Sequence, residues 1–277
     1  MYFKYPIMDL KGKTIIITGA SFGIGEACAY AFARYQTKLV LASRNIDKLN
    51  EVKLKAESFG AQVICVQCDV TLEIDCIRLI NETIDHFGAI HVLINNAGIT
   101  MRALFEDANL AVIKQVMDVN FWGAVYCSKY ALPFLLKEKG SLISLSSSAG
   151  FKGLPGRTAY SASKFALNGF MEALRIENRK TGLHIGVLSP GYTTSNIRKV
   201  ALNAKGFPQG ESPIDESKLM PANIVAERLI LMVQKRKKSE LLTLLCKTSF
   251  FVNKFLPKWV DFFVYKTLSK EKDSPFH

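Results

Sequence analysis

Residues 13–34 limit the fold of this chain more than any other stretch. The run KTIIITG (13–19) is short, continuous and β-branched, which marks a strand buried on both faces of a parallel sheet. It passes directly into Gly19, Ser21, Phe22, Gly23, Ile24 and Gly25, and residues 26–34 then read as a helix. A strand, a glycine turn and a helix in that order form a phosphate cradle. The glycines permit a tight turn and close backbone approach, and the helix N-terminus favours an anionic pyrophosphate. The spacing is G-x-x-x-G-x-G, not the G-x-G-x-x-G of the general dinucleotide fingerprint. A glycine turn without a ligand is the plainer alternative, and the rest of the chain decides between them.

The same alternation continues. Residues 38–43 predict a second buried strand, whose end meets the adenosine ribose in folds of this kind. An acidic residue there would bind both hydroxyls; the chain has Ser43 and Arg44. A guanidinium suits a 2′-phosphate in charge and shape, so NADP(H) is favoured over NAD(H). A helix over 45–58 leads to a third strand ending at Asp69 and Val70, where Asp69 can accept from an adenine amino group. A helix over 72–87 precedes a fourth strand whose tip, Asn96, Ala97 and Gly98, offers amide and backbone groups without bulk. Asn120 falls mid-helix within 111–136, an unfavoured place that suggests a specific hydrogen-bonding duty. A sixth strand over 184–189 is stopped by Pro190 and Gly191. Strands and helices in alternation predict an α/β fold with a doubly wound parallel sheet, in one domain over 1–246.

The chemistry concentrates at 147–164, SSAGFKGLPGRTAYSASK. Tyr160 and Lys164 are four apart on a proline-free helical stretch, so they share one face. A free phenol titrates near pH ~10, and a fixed cation beside it favours the phenolate, which makes Tyr160 a usable general acid/base. Ser147 ends the apolar run 141–147 and can hold a substrate oxygen. A lone Tyr-x-x-x-Lys is common by chance; its position after five strand ends gives it weight.

Composition removes several function classes. The chain has 277 residues, 49% hydrophobic and 22% charged, as in a globular protein. No window is apolar enough for a transmembrane helix, and residues 1–10 lack the apolar core of a signal peptide, so a cytoplasmic location is expected. The net charge of +12 suits anionic ligands or an acidic membrane surface, and no nucleic-acid motif accompanies it. Cys28, Cys76, Cys127 and Cys246 are scattered singly; Cys65 and Cys68 lie on a strand, where residues three apart face opposite ways. His86, His91, His184 and His277 show no metal-ligand spacing, and no metal is expected.

Taken together and in order, these motifs resemble the short-chain dehydrogenases/reductases over about residues 10–245, in the branch of roughly 250 residues. The resemblance implies a Rossmann-like domain in which 18–25 is the cofactor turn, Asp69 the adenine contact and 95–98 the central strand tip. It places Asn120, Ser147, Tyr160 and Lys164 as a catalytic tetrad. By it, Tyr160 exchanges a proton with the carbonyl or carbinol oxygen that Ser147 steadies. Lys164 lowers the tyrosine pKa and holds the nicotinamide ribose, Asn120 holds water for a proton relay, and Pro190-Gly191 borders the nicotinamide. Where the family often has Pro-Gly-x-Val-x-Thr, this chain has Pro-Gly-Tyr-Thr-Thr-Ser, leaving Thr193, Thr194 and Ser195 as alternatives for the carboxamide contact. The expected substrate is a small carbonyl or alcohol compound of apolar character, and the expected assembly a homodimer or homotetramer. A cofactor-sensing protein without chemistry and a membrane-surface lipid-modifying reductase are the alternatives.

Two further segments complete the reading. Residues 192–220 have little periodicity and read as a mobile lid that selects substrate, with Ile197, Val200, Leu202 and Phe207 hinting at an apolar one. Residues 239–246 read as a last strand. Beyond them, 247–277 form an extension whose aromatics recur at helical steps among lysines, with Pro257 splitting it into two helices. Those aromatics either pack on the chain's own core or a twin subunit, or touch a membrane surface through 247–270.

Overall fold

The computed structural model describes residues 7–276, so the stretch 1–6 that was read for a leader, and His277, lie outside it. Seven strands form one sheet: β1 (Thr14–Thr18), β2 (Lys38–Ser43), β3 (Gln62–Gln67), β4 (Val92–Asn95), β5 (Ser141–Leu145), β6 (His184–Ser189) and β7 (Ser239–Leu241). Their spatial order is β3-β2-β1-β4-β5-β6-β7, and every pairing is parallel. The order reverses between β1 and β4, the place where open α/β sheets leave a crevice beyond the strand ends.

Period-two alternation gives the sheet its two apolar faces. Ile15, Ile17, Leu39 and Leu41 pack on one side beneath α1 (Gly23–Ala33), α2 (Ile46–Glu57) and α7 (Ala222–Gln234). Ile16, Val40 and Ala42 pack on the other, beneath α3 (Glu73–Phe87), α5 (Gly123–Lys137) and α6 (Thr158–Glu177). A smaller cluster of Met101, Val112, Val116, Ala159 and Leu202 joins α4 (Leu110–Met117) to the lid region and the start of α6.

Two expectations need correction. The last strand stops at Leu241, because Thr243 accepts from the Cys246 N–H at 3.2 Å and caps α8 (Leu244–Phe255). The scattered cysteines are not all solitary: Cys76 Sγ lies 3.6 Å from Cys127 Sγ, and Cys68 is buried in the same apolar cluster. Cys76 beside Cys68, Cys127 beside Cys76, and then burial push the Cys68 and Cys76 thiols up. Cys65 packs with the opposite face of the sheet from Cys68, as residues three apart on a strand should.

The extension folds as two helices, α8 and α9 (Pro257–Leu268), with Pro257 at the first turn of the second. They do not bury their aromatics in the core. Cys246, Val260 and Leu268 are buried, whereas Phe255 is 78% exposed and Trp259 62%. Polar contacts help to hold the pair down, with Lys152 Nζ reaching Asn253 Oδ1 at 2.8 Å and Asp261 Oδ1 at 2.5 Å.

Candidate active site

The floor of the crevice is built where β1 ends. Gly19 has φ +65°, and a Cβ on it would lie 2.8 Å from Ala97 Cα; one on Gly25 would lie 2.2 Å from the Gly19 oxygen. Only glycines let this turn close on the β4 tip. Thr18 Oγ1 accepts from the N–H groups of Asn96 and Ala97, both at 3.1 Å. In return Asn96 Nδ2 donates to the Thr18 oxygen at 2.9 Å and the Gly19 oxygen at 3.1 Å. Turn and strand tip are thereby one unit. Gly25 supports it from beneath, while Gly19, Ser21, Phe22, Gly23, Ile24, Asn96, Ala97 and Gly98 line the crevice.

At one end of the crevice stand Ser43, Arg44, Asp69 and Val70. Ser43 Oγ is tied to the backbone of Asn45 at 3.2 Å, and the exposed Arg44 receives Gln67 Nε2 on its carbonyl at 3.2 Å. Asp69 Oδ1 accepts from Thr71 N and Oγ1 at 3.0 and 2.8 Å, and its own N–H donates to Asp75 at 2.9 Å. The carboxylate is therefore aimed by its neighbours. Val70 presses so closely on the chain at 123 that a Cβ there would come within 2.7 Å, which explains Gly123.

At the other end Ser147, Tyr160 and Lys164 converge from the end of β5 and from α6. Ser147 follows β5, accepts from Ala149 N at 3.2 Å and lines the crevice together with Tyr160. Lys164 Nζ donates to the Leu145 carbonyl at 2.8 Å and lies 5.8 Å from the Tyr160 ring centre. Burial drops the Lys164 pKa to about 8. For Tyr160, burial raises the phenol, while the Ser147 hydroxyl and then the charges of Arg157 and Arg198 pull it down; the net direction is upward. The lowering expected from Lys164 is not found: burial outweighs the pull of Ser147 and the two arginines, and Lys164 is turned onto a carbonyl.

Asn120 does not line the crevice. It sits in a π-helical turn, Asp118–Trp122, between α4 and α5, at 1% exposure. Its Oδ1 accepts from Ile99 N at 2.8 Å, and its Nδ2 donates to Ile99 O and Ser163 Oγ, both at 2.9 Å. Its amide ties the chain after β4 to α6. Both the oxygen and the nitrogen of this amide thus bond protein groups.

Pro190, Gly191, Thr193 and Ser195 line the crevice beyond β6; Thr194 turns away and donates to the Glu216 oxygen at 3.2 Å. Ser195 lies over the glycine turn, so that a Cβ on Gly23 would be 3.2 Å from Ser195 Cβ. The lid region is stapled by Arg198, which meets Glu216 with two hydrogen bonds of 2.6 Å and donates to the Thr193 oxygen at 2.6 Å. Arg157, Tyr192 and Arg198 line the crevice and were not anticipated, because no spacing marks them.

The crevice encloses about 890 Å³, at the upper end of small-molecule sites. Its floor carries glycine and backbone, its ends carry Arg44 and the Tyr160 group, and this set fits an extended nicotinamide dinucleotide. Among the described residues no group of three His, Cys, Asp or Glu is placed to hold a metal.

Comparisons with known proteins bear on the family and the fold. The family model described as short chain dehydrogenase matches residues 13–205. An 11-beta-hydroxysteroid dehydrogenase 1A of Arabidopsis thaliana is 41% identical over 191 residues, 68% of this chain and 54% of the relative. An 11-beta-hydroxysteroid dehydrogenase A of Sesamum indicum is 37% identical over 212 residues, 75% and 59% of the two chains. The chain therefore spans little more than half the length of these relatives. A short-chain dehydrogenase/reductase from Burkholderia phymatum, solved with NAD, superposes with a TM-score of 0.81 at 23% identity, covering 91% of this chain and 96% of that one; at that identity it speaks for the fold alone. With the family model spanning the glycine turn, the β4 tip and the Tyr160 helix, the chain belongs to the short-chain dehydrogenase/reductase family, as a hydroxysteroid-dehydrogenase-like member.

Proposed function

We propose that the chain is an NADP(H)-dependent oxidoreductase acting on a carbonyl or secondary alcohol of an apolar, steroid-, lipid- or ketone-like substrate. The observation that carries this reading is that Ser147 and Tyr160 line one end of the crevice together, with Lys164 buried one helical turn further along the same face. A bound nicotinamide supplies hydride donation or acceptance, and the chain supplies the rest. Tyr160 gives its proton to the carbonyl oxygen in reduction and takes one from the carbinol in oxidation. Ser147 holds that oxygen by hydrogen bonding, and Lys164 adds positive charge where the phenolate forms. Asn120 fixes the backbone at Ile99 against α6, which keeps the crevice wall in register with Tyr160. Arg44, exposed at the far rim, favours the ligand that carries a 2′-phosphate.

Residues 1–246, with the lid 192–220, form the working domain in this reading, and 247–277 belong to the same unit. The exposed face of α8 and α9 favours work at a membrane surface. Phe251, Phe255, Trp259, Phe262 and Phe263 are exposed beside Lys247, Lys254, Lys258 and Lys266, and the acidic Asp261 is paired with Lys152. Among the described residues no helix is long and apolar enough to cross a membrane.

The test is NADPH oxidation, with NADH in parallel, over steroids, long-chain ketones, β-ketoacyl thioesters and quinones. Turnover is expected on one class, faster with NADPH, and a loss of about 10²–10⁴-fold in Tyr160→Phe with NADPH binding retained. Equal turnover by Tyr160→Phe would sink the mechanism.

A further inference from the structure

Glu271, just beyond α9, reaches back to Arg157 at the substrate end of the crevice. Arg157, the residue before α6 and three before Tyr160, lines that end and is 8% exposed. Its Nη2 donates to both Glu271 oxygens, at 3.0 and 2.8 Å. Arg102 brings its Nε to 3.4 Å from the same carboxylate, and the Glu271 side chain is 6% exposed. Arg102 also donates to Gln209 Oε1 at 3.1 Å and to the Lys272 carbonyl at 2.5 Å, so lid and extension meet on it. Arg198, the other buried arginine lining the crevice, is likewise taken up by Glu216. Tyr192 lies within the fields of Arg157, Glu271 and Arg198. It separates the crevice from a second cavity of about 340 Å³ that Glu271 helps to line.

A guanidinium with little water needs an anion, and a planar fork facing a crevice is a ready carboxylate receptor. Here each such fork is already filled by the chain's own carboxylate. A substrate carboxylate arriving at this end would meet a paired arginine and the negative oxygens of its partner. We propose that Glu271 is a specificity-determining residue: by occupying Arg157 it withholds the cation that would otherwise bind an anionic substrate, and so restricts the crevice to uncharged ones. Glu271 acts through Arg157 and has no part in the proton transfer. The inference rests on the oxidoreductase reading for its substrate, and its test separates the two.

The experiment compares wild type, Glu271→Gln and Arg157→Gln. The substrates are cyclohexanone and 4-oxocyclohexanecarboxylate, with NADPH. In Glu271→Gln the ratio of kcat/KM for the acid to that for the neutral ketone should rise about tenfold, the worth of one charge-assisted hydrogen bond, through a lower KM for the acid. In Arg157→Gln, where Glu271 stays, the ratio should fall. Calorimetric titration of the NADPH-loaded protein with cyclohexanecarboxylate and cyclohexanecarboxamide asks the same question without turnover. If neither ketone is reduced, the function reading is at fault, and the calorimetric ratio still decides this one. If Glu271→Gln fails to fold, Arg157→Gln carries the test. A ratio unchanged in a folded variant, or equal loss on both ligands, overturns the proposal.

Discussion

Lys164 keeps an ammonium group where little water reaches it, and its titration carries a stability consequence. Burial drops its pKa from 10.5 to about 8, so between those values the unfolded chain holds a proton that the folded chain has lost. Stability from this group therefore rises as pH climbs through that window and is lowest below it. Relative to Lys164→Met, wild type should gain on the order of 3 kcal/mol between pH 7.5 and 10.5. Chemical unfolding of both proteins across that range measures the difference. The Tyr160–Lys164 pair was legible because helical periodicity is local and four residues suffice to show it. The Arg157–Glu271 pair was not: its members are 114 residues apart, and nothing in either neighbourhood names the other.

Among the elements, the glycine turn is the least forgiving. Gly25 has no room for a methyl group, since the atoms it would meet at 2.2 and 2.9 Å are backbone of Gly19. Gly25→Ala should cost about 1–3 kcal/mol in thermal or urea unfolding and weaken NADPH binding more than tenfold by fluorescence titration. An alanine variant that unfolds and binds like wild type would contradict this packing. The turn could be read from sequence because the strand before it and the helix after it differ in period. The end of β7 could not. Residues 239–246 are apolar enough for a strand, and the helix start at 244 depends on the Thr243 cap, a single hydrogen bond. The π-turn at Asn120 was visible only as an asparagine out of place; its partners Ile99 and Ser163 become neighbours when β4 and α6 pack.

For the whole molecule, the alternation of strands and helices predicted the doubly wound sheet, and the reversal of strand order at β1 and β4 puts the crevice where the motifs end. What periodicity cannot say is which side of a helix finds a partner, and α8 and α9 show it: their aromatics had the spacing of a buried face and lie outward. On vesicles containing anionic lipid the wild-type chain should co-sediment, less so as salt rises, and Phe255→Ser with Trp259→Ser should remain in the supernatant. Concentration-dependent dimerisation without lipid binding would instead assign the face to a second copy. The six cysteines add one more property at this scale. All are unbridged; Cys28, Cys68, Cys76, Cys127 and Cys246 are buried, and Cys65 is partly covered. Each of the five buried thiols therefore waits for its own region to open before a thiol reagent can reach it. Labelling followed by peptide mass would time the opening of the Asp69 end from Cys68 and of the outer helices from Cys246, with no probe added to the chain.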